Sequence, residues 1–201
     1  MKQTILDRYE RNTEGRIIID VAASQVEELY NNYDRSAPYI RRDLEKNLVN
    51  YLIDCAKEIV PQPFVVMFTL KIPPDESRES RVRNSVNAYF MYLQEIEGNK
   101  IIEMFRRSAI MFSIGITILF LSVYVNHAVG EEHSIVAMVF AEGLTIAAWV
   151  SLWESLAIVL IEWLPYRKNI LLYRELADAE LIFRSGNAEA GRIDMPLTSD
   201  G

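Results

Sequence analysis

The chain has 201 residues, half of them hydrophobic, and a formal net charge of −7. That much apolar material excludes a disordered chain, and the acid excess argues against a dedicated nucleic-acid binder, which is normally basic. The single Cys excludes a disulfide scaffold and puts a classical four-ligand zinc site out of reach.

In chain order, the opening MKQTILDRYERNTEGR carries charges and no apolar core, so it does not read as a signal peptide. Residues 16–23, RIIIDVAA, form a β-rich run followed by the helix-starting Ser24. The pattern then turns helical, with an interruption around 34–38. Residues 41–60 read as one amphipathic helix, because Leu44, Leu48, Tyr51, Leu52, Cys55, Ala56 and Ile59 recur at spacings of three and four. Pro61 and Pro63 stop it. Residues 64–72, FVVMFTLKI, are a second strand, and Asp75 after two prolines is an N-cap for the next helix. A β-α-β-α order predicts a parallel strand pair. Arg41, Arg42 and Asp43 read as surface or interdomain charges rather than as an anion site. The mixed run DESRESRVR reads as a solvated helix face. No Gly-rich phosphate loop, His/Cys ligand cluster or nucleophile motif is present in this part of the sequence.

The mean hydropathy of +0.04 is an average over very unlike halves. Residues 108–129, SAIMFSIGITILFLSVYVNHAV, contain no Asp, Glu, Lys or Arg, and a helix of roughly 20 residues crosses a bilayer core. A second apolar run covers 134–164 and closes at Pro165, with Glu142, Glu154 and Glu162 inside it. Lys100, Arg106 and Arg107 precede the first run, and Arg167, Lys168 and Arg174 follow the second. The connection carries Glu131 and Glu132 and no Lys or Arg. Positive charge is retained on the cytoplasmic side, so both termini are expected there, with the first span acting as an uncleaved internal signal and Cys55 as a reduced thiol. Trp163 and Tyr166 suit the inner interface. A helix continuing through a loosening at Gly98–Asn99 would be a stalk between the two parts.

The second span holds the costly residue. Glu154 lies about 12 Å deeper than Glu162 at the 1.5 Å rise of a helix, near the bilayer middle. There a carboxylate must face protein, face water or be protonated. Gly143, Ala147, Ser151 and Ser155 place a small residue every four positions, the spacing that lets helices approach. Glu154 and Glu162 fall in the same sector, with Ser113 and Thr117 of the first span at the depth of Glu154 as hydrogen-bond donors. Three roles compete for Glu154: interhelical glue, a pore ring with Glu162 as a second ring, or a carrier carboxylate. His127, Glu131, Glu132 and His133 in the connection read as a short solvated turn rather than a metal site. After Pro165, residues 165–184 read as an amphipathic helix packing on the cytosolic domain, and 185–201 as a disordered tail.

RSAPYIRRDLEKNLVNYLIDCAKEI, together with WESLAIVLIEWLPYRKNILLY, resembles an uncharacterised group of bacterial two-span inner-membrane proteins. The resemblance implies the cytosolic β-α-β-α part and the hairpin, and it carries no activity. WESLA at 153–157 is also similar to the Trp-acid-x-x-acid-Pro pore signature of the mitochondrial calcium uniporter, but Ala157 and Ile158 stand where the second acid and the proline belong.

The expectation is therefore a membrane α-helical hairpin with a small cytosolic α/β domain: 1–107 cytosolic with a helical stalk, 108–164 in the membrane, 165–184 a cytosolic helix, 185–201 a tail. Its partners are the lipid bilayer and further copies of itself as a homo-oligomer, with no cofactor, no metal and no nucleic acid. The function read from this is a non-enzymatic assembly, scaffold or regulatory protein of the cytoplasmic (inner) membrane. The alternatives are a cation channel lined by Glu154 and Glu162 and an accessory subunit of a larger membrane complex.

Overall fold

Residues 6–34, 37–128 and 135–186 are described by the structure, a computed structural model. Strand β1 (Ile17–Ala23) leads through short 3-10 turns to helix α1 (Lys46–Ile59), then to strand β2 (Phe64–Leu70). Two long helices follow, α2 (Glu76–Ala128) and α3 (Ile135–Asp178), and strand β3 (Glu180–Ser185) closes the described chain. The chain divides into two compact units. One joins Met1–Gln94 with Leu171–Gly201; the other is Glu95–Ile170.

The first unit is built on a three-stranded parallel sheet in the order β1-β2-β3. Alternation decides its faces. Ile17, Ile19 and Val21 point into the core beside Phe64, Val66, Phe68 and Leu70 of the central strand and Leu181 of β3. Helix α1 adds Val49, Leu52, Cys55, Ala56 and Ile59, the three-and-four spacing seen in its sequence. Its first turn is capped by Glu45, whose carboxylate accepts from the Leu48 N–H at 2.9 Å. Val82, Val86 and Phe90 of α2 and Leu172 and Leu176 of α3 complete the core. Phe68, Phe90 and Leu52 are essentially inaccessible, and each such side chain stabilises the fold by about 1.5–3 kcal/mol. Asp75 accepts from the Arg78 N–H at 2.9 Å, capping α2 as its position after two prolines predicts.

The expected two-strand β-α-β-α plan is corrected by β3. Residues 180–184, read from the sequence as the end of an amphipathic helix, pair in parallel with β2, Val66 against Leu181 and Phe68 against Phe183. The helical spacing of Ile170, Tyr173 and Ala177 runs up to ELIFRS with no Gly or Pro between them, so nothing local marks the change. The third strand pairs along β2, and the sheet thereby exceeds the two strands that are marginal alone. The amphipathic helix read from 41 onward divides into a 3-10 turn at Tyr39–Arg41 and α1 from Lys46, and α2 remains helical through Gly98. Helix α3 continues through Pro165; the proline forfeits one helix hydrogen bond without ending the helix.

In the second unit α2 and α3 run antiparallel. Ser108, Gly115 and Ser122 of α2 are buried, as are Ala141, Ala148 and Ser155 of α3. Both rows repeat every seven residues, which keeps a row of side chains on one helix face. Ser108 Oγ donates to the Ser155 carbonyl at 2.9 Å, and Ser155 Oγ donates to the Ser108 carbonyl at 3.0 Å. At the other end Ser122 Oγ donates to the Ala141 carbonyl at 3.0 Å and lies 2.7 Å from Thr145 Oγ1. Between these, a Cβ placed on Gly115 would stand 3.0 Å from Leu152 Cγ. Small residues set the spacing, and their hydroxyls satisfy each other across it.

Candidate functional site

Glu154 lies off this seam, whereas Glu162 continues the Ala141–Ala148–Ser155 row by one further step of seven. Glu154 is exposed on the outer surface of α3, and Glu162 is half-buried. Of the small residues read from the sequence, Ser155 lies in the seam, Ser151 is half-buried, and Gly143 and Ala147 are exposed. Ser113 and Thr117 are also exposed. Their hydroxyls donate to their own helix, Ser113 to the Ala109 carbonyl and Thr117 to the Ser113 carbonyl, each at 2.8 Å. A hydroxyl has one proton, so neither donates to Glu154. Ser151 likewise donates to the Ala147 carbonyl at 3.0 Å. The structure therefore does not gather the sequence-read residues into one cluster within a chain. Their shared property is that most stand on outward faces.

The residues that the four-residue stripe did not single out are Ser108, Gly115, Ser122, Ala141 and Ala148. Their signal is present in the sequence as the seven-residue repeat. The outer face of α2 adds one more feature, a shallow groove of about 480 Å³ along Ala109, Ser113 and Thr117 with Arg106 at one end. Glu154 and Arg106 have no hydrogen bond or ion pair among the described residues. The guanidinium of Arg167 lies 5.1 Å from the Trp163 ring centroid, one turn away on α3.

The first unit carries a polar groove of about 330 Å³ where β1 meets α1, lined among others by Asp20, Tyr51, Cys55, Thr69 and Arg184. Asp20, the lone acid in RIIIDVAA, accepts from Thr69 Oγ1 at 3.0 Å, and its carbonyl accepts from the Tyr51 hydroxyl at 3.1 Å. Burial raises the Tyr51 phenol, reinforced by the neighbouring Cys55. Tyr9 is raised as well, by burial first and then by the Glu58 carboxylate that accepts its proton at 2.8 Å. These groups hold one another in place. Among the described residues no histidine lines the groove to activate the Cys55 thiol.

Arg42, read as a surface or interdomain charge, stacks 4.3 Å from the Tyr39 ring centroid and donates from Nε to the Ala37 carbonyl at 2.8 Å. Arg81 approaches the same ring at 5.5 Å, and Ser85 Oγ donates to the Tyr39 carbonyl at 2.7 Å. The cluster ties the 3-10 segment to α2. Among the described residues no group of three or more His, Cys, Asp or Glu side chains converges as a metal site. His127 is exposed, and Glu131, Glu132 and His133 lie outside the described residues, as do residues 187–201 of the expected tail. No family model, no curated protein and no solved structure matches the chain.

Proposed function

We propose that this chain is an integral protein of the cytoplasmic membrane, a helical hairpin that displays the α/β unit in the cytosol and assembles with copies of itself as a non-enzymatic scaffold. The observation that carries the membrane placement is exposure. The most apolar windows of α2 and α3 have mean hydropathies of 2.1 and 1.9, yet only 17% of each is buried within the chain. The core helix of a soluble protein would be mostly covered. Here Phe120, Trp153 and Ile161 are each more than 70% exposed. In water that surface is unfavourable, and in lipid it is matched. The backbone is satisfied within the helices, and the seam serines are paired, as a hydrocarbon setting demands.

Orientation follows from charge. Lys100, Arg106 and Arg107 precede the first apolar run and Arg167, Lys168 and Arg174 follow the second, and the connection carries Glu131 and Glu132 instead. The Trp163–Arg167 pair suits the inner interface, where an aromatic body meets lipid and a cation meets water. The outward small-residue faces support self-assembly.

Carbonate extraction and surface labelling test this reading. The protein should stay in the membrane pellet, and a Glu132→Cys chain should react with an impermeant maleimide added outside intact cells. Release by carbonate, or labelling only after lysis, overturns the placement. A monomer by native mass spectrometry in nanodiscs overturns the scaffold.

A further inference from the structure

We propose that the outer groove of α2 docks α3 of a second copy, with Arg106 of one chain paired to Glu154 of the next. The proposal rests on the membrane reading above and names the contact through which the copies assemble.

At about 100° per residue, Ser113 and Thr117 stand roughly opposite the Ser108–Gly115–Ser122 seam, so their face is turned away from the chain's own α3. The groove there is floored by small side chains and walled by Ile110 and Ile114. On α3, Gly143, Ala147 and Glu154 lie roughly 100–140° round from the Ala141–Ala148–Ser155 seam by the same rotation. These are two different surfaces, and both are left free by the hairpin.

Depth matches them. The hydrogen bonds between Ser108 and Ser155, and between Ser122 and Ala141, fix which residues of α2 and α3 share a level. Copies inserted in the same orientation share those levels. Ser113 then meets Ser151, and Thr117 meets Ala147, to within about one residue. Every hydroxyl in these rows already donates to its own helix, so the faces can close without stranding a proton.

Charge selects the pairing. Two α2 grooves face to face would bring Arg106 against Arg106, and two α3 faces would bring Glu154 against Glu154. Like charges at apolar surfaces repel strongly. The unlike contact places Arg106 about 4.5 Å along the axis from Glu154, a gap that a long arginine side chain covers. Glu154 thereby gains the partner that a carboxylate within an apolar span needs. A contact between unlike faces is heterologous, and it builds a closed ring or an open row.

Disulfide trapping in native membranes tests the contact. Two differently tagged full-length chains are co-expressed, one carrying Thr117→Cys and the other Ala147→Cys. The mixed-tag disulfide should dominate. Arg106→Gln and Glu154→Gln should each lower its yield several-fold, and the two together should lower it no further. Disulfides only between like-tagged chains, or a yield indifferent to both substitutions, overturn the proposal while leaving an oligomer standing. Intact cross-linking with cation flux lost in Glu154→Gln liposomes also overturns it, since that assigns Glu154 to conduction. Carbonate release or a monomeric wild type would instead remove the reading beneath it.

Discussion

Gly115→Ala tests the hairpin seam by the smallest possible change. A methyl group at this position meets Leu152 Cδ2 and Cγ at 3.0 Å and the Leu152 backbone nitrogen at 3.2 Å. The leucine side chain can turn aside, but the nitrogen moves only if α3 moves. Overpacking of this kind costs about 1–3 kcal/mol, against a gain of about 1 kcal/mol for replacing a helical glycine by alanine. Gly98 supplies the internal comparison. It lies in the same helix with nothing within 4 Å of an added Cβ, so Gly98→Ala keeps only the gain. The two variants should therefore differ by about 1–3 kcal/mol, with Gly115→Ala the less stable. Reversible unfolding in mixed micelles, followed by tryptophan fluorescence, measures this. Trp149, Trp153 and Trp163 are the protein's three tryptophans, and all lie in the Glu95–Ile170 unit. Adding Leu152→Ala should recover part of the Gly115→Ala loss, because it removes the side-chain clash and leaves the backbone one. Equal shifts for the two glycine variants would refute a close helix approach at Gly115.

The same titration checks the serine clasp. Ser108→Ala and Ser155→Ala should each cost about 0.6–1.7 kcal/mol, and the double variant should cost less than their sum because the hydroxyls share one bonded cluster; strict additivity would count against it. In the α/β unit Phe68→Ala, at a fully buried position of the central strand, should cost about 3–5 kcal/mol, read as lost amide-exchange protection across all three strands. A loss of protection confined to β2 would show that β1 and β3 fold without it. Tyr9 gives a pH dependence. Its folded pKa is raised above the ordinary 10.0 by burial and by Glu58, so the unfolded chain releases the proton first. The contribution is fully present below pH 10 and declines as the pH rises past it. Tyr9→Phe should flatten that alkaline decline in the exchange protection of β1 and α1, and an unchanged profile would remove Tyr9 from the account.

Much of this architecture is visible in the amino-acid order, and the misses have physical causes. The strands at RIIIDVAA and FVVMFTL, the amphipathic face of α1 and the Asp75 cap follow from local chemistry. Strand β3 does not, because its helix-to-strand change at Ala179 lacks a turn residue and its pairing with β2 spans more than a hundred residues of chain. The Tyr39 ring on which Arg42 stacks is a local neighbour, but Arg81 and Ser85, which hold that residue from α2, come to it only in the fold. In the hairpin a four-residue spacing draws the eye to Gly143, Ala147, Ser151 and Ser155. The chain's own seam instead follows a seven-residue spacing, and the two rows share only Ser155. A wheel shows where a residue points on its helix, whereas the partner on that side is set by tertiary packing.

That shared residue separates two roles along one helix. Steps of four residues advance about 40° around a helix, while steps of seven drift by about 20°. The row Gly143–Ala147–Ser151–Ser155 therefore winds from an outward face into the seam, passing from exposed Ala147 through half-buried Ser151 to buried Ser155. Neighbouring alanines fall on opposite sides of that boundary: Ala148 is fully buried, and Ala147 is exposed. Ala148→Leu should wedge the hairpin and cost about 1–3 kcal/mol or more in the micelle titration. Ala147→Leu should leave that titration unchanged, because its side chain touches nothing in its own seam. If the outer face of α3 seats in the groove of the next copy, Ala147→Leu should nonetheless abolish the mixed-tag disulfide, trapped then through Ser113→Cys and Ser151→Cys. A hairpin weakened equally by both leucines would mean that the four-residue row packs within the chain, and the case for an intermolecular face would fall with it.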